Sequence, residues 1–136
     1  MSRLQLALNV SNLEESIAFY SQLFGVKPAK VRSGYANFSV VEPPLKLVLI
    51  ENESGGTINH LGVEVETTAE VEQWEEKLIV REMNPQAQKN NTCCYAKQDK
   101  FWVDDPDKAP WEIYTVLEDS TTFGESTMPN LIGSGL

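Results

Sequence analysis

The chain has 136 residues, 41% of them hydrophobic and 23% charged, which suits one globular domain or two small repeated halves sharing a core. Its 11 Lys and Arg stand against 20 Asp and Glu, a formal charge of −9, and an acidic chain without a basic stripe argues against nucleic acid and anionic membrane surfaces as partners. No apolar stretch is long enough to cross a bilayer, and the first residues lack an export leader; with two free thiols this sets the expectation of the reducing cytoplasm.

Residues 4–10 alternate, with Leu4, Leu6, Leu8 and Val10 on one face and Gln5, Ala7 and Asn9 on the other, the pattern of a half-buried strand. Ser11 or Asn12 caps the next segment, in which Leu13, Ile17, Tyr20, Leu23 and Phe24 recur at helical spacing until Gly25 stops it. Strands follow at 35–41 and, after Pro43-Pro44, at 45–51, before a Ser54-Gly55-Gly56 turn.

The second half restarts the pattern. Residues 60–66 alternate, with Leu61, Val63 and Val65 opposite His60, Gly62 and Glu64. Thr67 or Thr68 caps a helix carrying Val71, Trp74 and Leu78. Strands are expected at 93–97, 101–103 and 111–117, with Asp104-Asp105-Pro106-Asp107 turning between the last two. Each half therefore reads βαβββ, an internal duplication.

Superimposing first strands places Gln5 over His60 and Val10 over Val65, an offset of 55. Superimposing last strands places Pro44-Leu45-Lys46-Leu47 over Pro110-Trp111-Glu112-Ile113, an offset of 66. The 11 residues gained by the second half fall in the polar stretch 83–91, expected to be a mobile loop immediately ahead of Cys93 and Cys94.

Gln5, His60, Lys46 and Glu112 occupy equivalent strand positions, each opposite the apolar face. If the two modules pair into one curved sheet, the four converge on a cavity. Gln5, His60 and Glu112 then supply an amide oxygen, an imidazole nitrogen and a carboxylate, close in character to the three-ligand face that leaves positions open on Fe(II). Lys46 is no ligand while it is an ammonium. Taken singly, His60 reads equally as a hydrogen-bonded structural histidine and Glu112 as a solvent-facing residue.

Cys93 and Cys94 are the only cysteines, and they are adjacent. Neighbouring Cα atoms lie about 3.8 Å apart, short of the roughly 4.4–6.8 Å of an ordinary disulfide. Repeated Cys-x-x-Cys spacing, the mark of a closed zinc site, is absent. Two readings remain from the pair itself: small buried strand residues, or two thiolates for one soft centre such as a heavy metal ion or trivalent arsenic.

With Gln5, His60 and Glu112 at ligand positions, the duplicated βαβββ pattern resembles the vicinal oxygen chelate superfamily of glyoxalases, extradiol dioxygenases and fosfomycin-resistance proteins. The sharper resemblance is to its carbon–arsenic lyases, a branch also called cadmium-induced proteins. It rests on Leu4-Gln5-Leu6-Ala7-Leu8-Asn9-Val10, Gly34-Tyr35-Ala36-Asn37-Phe38, Pro44-Leu45-Lys46-Leu47-Val48-Leu49-Ile50-Glu51, Asn59-His60-Leu61-Gly62-Val63-Glu64-Val65, Thr92-Cys93-Cys94-Tyr95-Ala96 and Pro110-Trp111-Glu112-Ile113-Tyr114. The resemblance implies an α+β fold of two βαβββ modules forming a curved, partly open mixed sheet around a metal-binding cavity. The domain would span 1–119, with module one at about 3–52 and module two at about 57–118, followed by a flexible tail at 120–136.

It implies Fe(II)- and O₂-dependent cleavage of trivalent organoarsenicals, such as methylarsenite and reduced aromatic arsenicals, to arsenite. In that scheme Cys93 and Cys94 bind arsenic and act in catalysis, while Gln5, His60 and Glu112 hold the metal. Some relatives carry further cysteines near the C-terminus; residues 119–136 here have none, leaving arsenic to Cys93 and Cys94 alone. Modules of this fold pair within or between chains, so a homodimer stays open. Two competing functions use half the residues each: a non-catalytic cadmium- or arsenic-binding resistance protein needs only the thiols, and another extradiol-type dioxygenase needs only the metal face.

Overall fold

The computed structural model of the protein describes residues 2–93 and 96–119. The elements are β1 (Arg3–Val10), α1 (Leu13–Phe24), β2 (Lys30–Arg32), β3 (Tyr35–Val40), β4 (Leu45–Glu51), β5 (Ile58–Glu64), α2 (Thr68–Val80), β6 (Gln86–Cys93), β7 (Ala96–Asp104) and β8 (Pro110–Asp119). They form an α+β fold of two βαβββ modules with mixed strand directions. Two compact units result, one of Arg3–Leu61 and one beginning at Gly62, so the division falls inside β5. No described helix is long and apolar enough to cross a membrane.

Both units use the same permutation of strands. In the first the order is β2-β3-β4-β1, with the start of β5 beside β1; in the second it is β6-β7-β8 with the end of β5 beside β8. β1 runs parallel to β4, putting Gln5 opposite Lys46, while β3 runs antiparallel to β4, putting Phe38 opposite Leu47. In the second unit β7 is antiparallel to β8, and Phe101 stands opposite Ile113. Leu47 and Ile113 are the pair that the offset of 66 equates, so the duplication is visible in the ladder itself as well as in the sequence.

The helices begin and end where their end chemistry dictates. Asn12 accepts the Glu15 N–H at 3.0 Å, Glu14 and Glu15 sit in the first turn at the positive end of the helix dipole, and Gly25 closes α1 at φ 65°, a left-handed conformation that glycine adopts without steric cost. Thr67 likewise accepts the Glu70 N–H ahead of α2. Of the two caps the spacing allowed at each site, Asn12 and Thr67 are the ones used. In the first unit Leu13, Ile17, Tyr20 and Phe24 pack on a core that includes Phe38, Leu47 and Leu49; in the second Val71, Trp74 and Leu78 pack with Phe101 and Ile113. Burying each large apolar side chain contributes about 1.5–3 kcal/mol before the entropy of ordering it.

Two expectations change. The stretch 83–91 is not a loop throughout: from Gln86 it is strand β6, laddered to β7 from Gln86↔Trp102 to Cys93↔Ala96. Its sequence, QAQKNNTC, carries no apolar alternation, and as the outermost strand it is held by backbone bonds to a single neighbour. The strand expected at 93–97 is instead the end of β6 and the beginning of β7. The third strand that the βαβββ reading requires after α1, given no position by the sequence, is the three-residue β2, too short to show a period. The tail expected at 120–136 lies outside the described residues.

Candidate functional site

The face of β1 opposite the apolar one is the more buried. Gln5 is 3% exposed and Ala7 and Asn9 are also buried, whereas Leu4 on the apolar face is 52% exposed. The same holds in β5, where His60 is 2% exposed and Leu61 only half-buried. Buried amides and imidazoles are costly unless their hydrogen bonds are made, so a face of this kind is a site candidate rather than a core.

Around His60 those bonds form a directed chain. His60 Nδ1 lies 2.8 Å from Asn59 Oδ1, and Asn59 Nδ2 donates to Asn9 Oδ1 at 2.9 Å. Asn52 Nδ2 donates to the same oxygen at 2.7 Å, and Asn9 Nδ2 donates to Thr57 Oγ1 at 2.8 Å. Backbone bonds clamp the turn that carries these groups: Asn9 N–H to Thr57 O, Gly56 N–H to Asn9 O and Asn52 N–H to Val10 O. Gly55 allows that clamp, since a Cβ there would meet the Ser11 nitrogen at 2.6 Å. On β4, Lys46 faces Gln5 in the ladder from one side and Ser39 from the other, and Arg3 Nη1 donates to Ser39 Oγ at 2.6 Å.

In the second unit Glu112, 3% exposed, lies opposite Trp102 on β7. Its Oε1 is 3.5 Å from Nζ of Lys100, a lysine with no exposed surface, whose ammonium also stands 5.4 Å from the Trp102 ring centroid. A buried ammonium held between a carboxylate and an indole face keeps the carboxylate aimed. On the same strand face Tyr114, fully buried opposite Lys100, donates its hydroxyl to Glu64 Oε2 at 2.9 Å. Lys100, Trp102, Glu112 and Tyr114 thus share one strand face of the second unit, with Glu64 bonded to Tyr114.

Gln5, Lys46 and His60 stand in the first unit and Glu112 in the second. Among the described residues no group of three or more His, Cys, Asp and Glu side chains is placed to hold a metal ion. The set expected from the repeat contains only two of those types, its third donor being the amide of Gln5. The donor chemistry of amide oxygen, imidazole nitrogen and carboxylate, each from a buried side chain, suits a divalent first-row metal. Cys93 is described by its backbone, at the last pair of the β6–β7 ladder; Cys94 lies outside the described residues. Register breaks between Gln88 and Asn91 on β6 and between Lys97 and Gln98 on β7 flank the cysteine end of that hairpin.

Sequence reasoning missed Lys100, Tyr114 and the Asn9–Asn52–Asn59 chain. Alternation carried back from Trp102 would have placed Lys100 on the Glu112 face, and forward from Glu112 would have placed Tyr114 there. The asparagines carry no such period, for they lie on three different segments.

A sequence profile of the Glyoxalase/Bleomycin resistance protein/Dioxygenase superfamily matches residues 3–113. The chain is 51% identical over 136 residues to a protein of Mycobacterium tuberculosis (strain ATCC 25618 / H37Rv) named cadmium-induced protein CadI, covering 99% of this chain and 90% of that one. It is 52% identical over 128 residues to a Thermomonospora curvata protein named trivalent organoarsenical cleaving enzyme, covering 93% of this chain and 85% of that one. Among solved structures, the 2,3-dioxygenase LapB of Pseudomonas sp. KL28 superimposes with a TM-score of 0.64 at 20% identity, over 90% of this chain and 42% of LapB, a likeness of fold.

Proposed function

The chain belongs to the Glyoxalase/Bleomycin resistance protein/Dioxygenase superfamily and is closely related to CadI and the trivalent organoarsenical cleaving enzymes, and from that premise we propose that it cleaves the carbon–arsenic bond of trivalent organoarsenicals, methylarsenite and reduced aromatic arsenicals among them, to release arsenite. What supports this reading above all is the likeness to relatives that bear that activity in their names. The residues suit it chemically. Two thiols, Cys93 and Cys94, condense with the two hydroxyls of a trivalent organoarsenical, forming two As–S bonds and releasing two waters while the organic group stays on arsenic. Binding through two sulfurs fixes the orientation of that group and replaces a bimolecular encounter with a positioned one.

Gln5, His60 and Glu112 would hold a divalent iron. When bound, that ion offers open positions for O₂, the co-substrate. Lys100 keeps the Glu112 carboxylate pointed, and the burial of Glu112 holds bulk water away from it. Purified protein incubated with Fe(II), O₂, a thiol reductant and methylarsenite is expected to release inorganic arsenite, and no arsenite under those conditions overturns the reading.

The relatives named cadmium-induced protein favour a second reading, in which the thiols sequester a soft metal without turnover. His60→Ala separates the two: a lyase loses arsenite release but still binds the arsenical, and a sequestering protein is unchanged in both.

A further inference from the structure

The chain of amides behind His60 has a polarity that two backbone groups fix independently. Thr57 Oγ1 lies 2.7 Å from the Ser54 carbonyl oxygen, which only accepts, so the threonine hydroxyl spends its proton there and receives from Asn9. That makes the Asn9 group facing Thr57 its NH₂ and turns Oδ1 toward Asn52 and Asn59. From the other side, the Ser54 N–H, which only donates, reaches Asn52 at 2.8 Å, so the Asn52 atom facing it is the oxygen and its NH₂ points to Asn9. Both ends therefore demand an oxygen at Asn9 Oδ1. Asn59 must offer that oxygen its NH₂, which leaves Asn59 Oδ1 against His60. An oxygen there accepts only, so the proton of His60 sits on Nδ1. The assignment of three amide flips and one tautomer thus rests on two groups whose roles are beyond choice, a carbonyl and a peptide N–H.

We infer that Asn59, oriented by Asn9, is a positioning residue that locks His60 in its Nδ1–H form and so presents the Nε2 lone pair for metal binding. The burial of Asn9, Asn59 and His60 strengthens the device, since water does not compete for these bonds and breaking one leaves a buried polar group. A hydrogen bond to the non-ligating nitrogen sets which nitrogen binds metal and holds the ring plane. The part concerning metal rests on the reading of His60 as an iron ligand; the part concerning the proton does not.

His60 is the only histidine, so ¹⁵N ring shifts of uniformly labelled, metal-free full-length protein report its tautomer without assignment. The wild type is expected to show the proton on Nδ1. Asn59→Leu, which keeps the volume and removes the acceptor, is expected to move it toward Nε2 and to weaken binding of Co(II), followed by its visible absorption, by about 10–100-fold. Asn59→Asp returns an acceptor to His60 but loses the NH₂ that Asn9 Oδ1 receives, so it is expected to bring the proton back to Nδ1 without restoring the full Co(II) affinity. An Nε2–H wild type overturns the inference without recourse to any variant, and so does an Asn59→Leu protein whose tautomer or Co(II) affinity is unchanged. If the tautomer is as expected but the wild type releases no arsenite, the proposed activity fails and this assignment stands.

Discussion

The two units repeat one plan and differ where chemistry is needed. Both order their strands alike, place a phenylalanine, Phe38 or Phe101, opposite the equated positions Leu47 and Ile113, and open their helices with a side-chain oxygen on the N–H three residues on. At the equivalent inner position, however, the first unit has Lys46 and the second Glu112. The first unit's β2 has three residues, against eight in β6 and nine in β7, and only the longer hairpin carries thiols. The shared features are those any βαβββ module needs to bury its helix. The unshared ones, a carboxylate in place of an ammonium and a longer hairpin ending in Cys93, are those the proposed reaction uses.

The hardest break in that comparison is at the hairpin. Cys93→Ser and Cys94→Ser each exchange a soft thiolate for a hydroxyl and remove one As–S bond. Arsenite release is expected to fall by about 10²-fold or more, in keeping with the loss of a positioned reactant. Retained turnover in both variants would shift the function to a dioxygenase that works without thiols.

Next is the charge inversion. Losing even an outer partner of a metal ligand costs about 10–100-fold in affinity, so Glu112→Gln, which removes the carboxylate itself, is expected to weaken Co(II) binding by more than that. Lys46→Met at the matching place is expected not to weaken it. Calorimetric titration of both variants decides whether the copies have truly divided the roles. Equal losses would make Lys46 part of the site and undo the division.

The shared core comes third. Phe38→Ala and Phe101→Ala each empty a fully buried ring position and are expected to cost about 3–5 kcal/mol. Denaturant unfolding followed by tryptophan fluorescence, whose three indoles, Trp74, Trp102 and Trp111, all lie in the second unit, and by circular dichroism separates two cases. Coincident transitions in both variants mean that the units unfold together; a fluorescence transition unmoved by Phe38→Ala means that each holds its own core.

Much of this plan was legible in the sequence because the duplication multiplies weak signals. The alternation of 4–10 and of 60–66, read together, located both first strands and put Gln5 and His60 on one kind of position. The same reading turned that face toward a cavity, but hydropathy alone cannot register how deeply a glutamine or histidine is buried, because it does not see that a buried amide has its partners. The polar β6 was read as a loop for a related reason: its stability comes from backbone pairing with β7, and backbone pairing leaves no mark in side-chain periodicity. Lys100 was passed over because the strand around Phe101 was drawn too short, and a lysine with no exposed surface is rare unless it is paired.

The smallest expected effect tests whether the two helix starts are equivalent. Replacing an Asn or Thr cap by Ala ordinarily costs about 1 kcal/mol. The two helices differ in what remains afterwards. In α1 the next N–H, that of Leu13, is also held, at 2.8 Å, by the Glu51 carboxylate, which is carried on β4 and stays in place when Asn12 is cut back. In α2 the supporting carboxylate is Glu70, which accepts the Glu66 N–H at 3.0 Å but belongs to the helix's own first turn and frays with it. A carboxylate fixed at the positive end of the helix dipole retains about 0.3–1 kcal/mol. Asn12→Ala should therefore cost less than Thr67→Ala by a few tenths of a kcal/mol, measured as paired shifts of the denaturation midpoint, and adding Glu51→Gln to Asn12→Ala should close the gap. A larger loss at Asn12 would mean that the strand-borne carboxylate contributes nothing to α1.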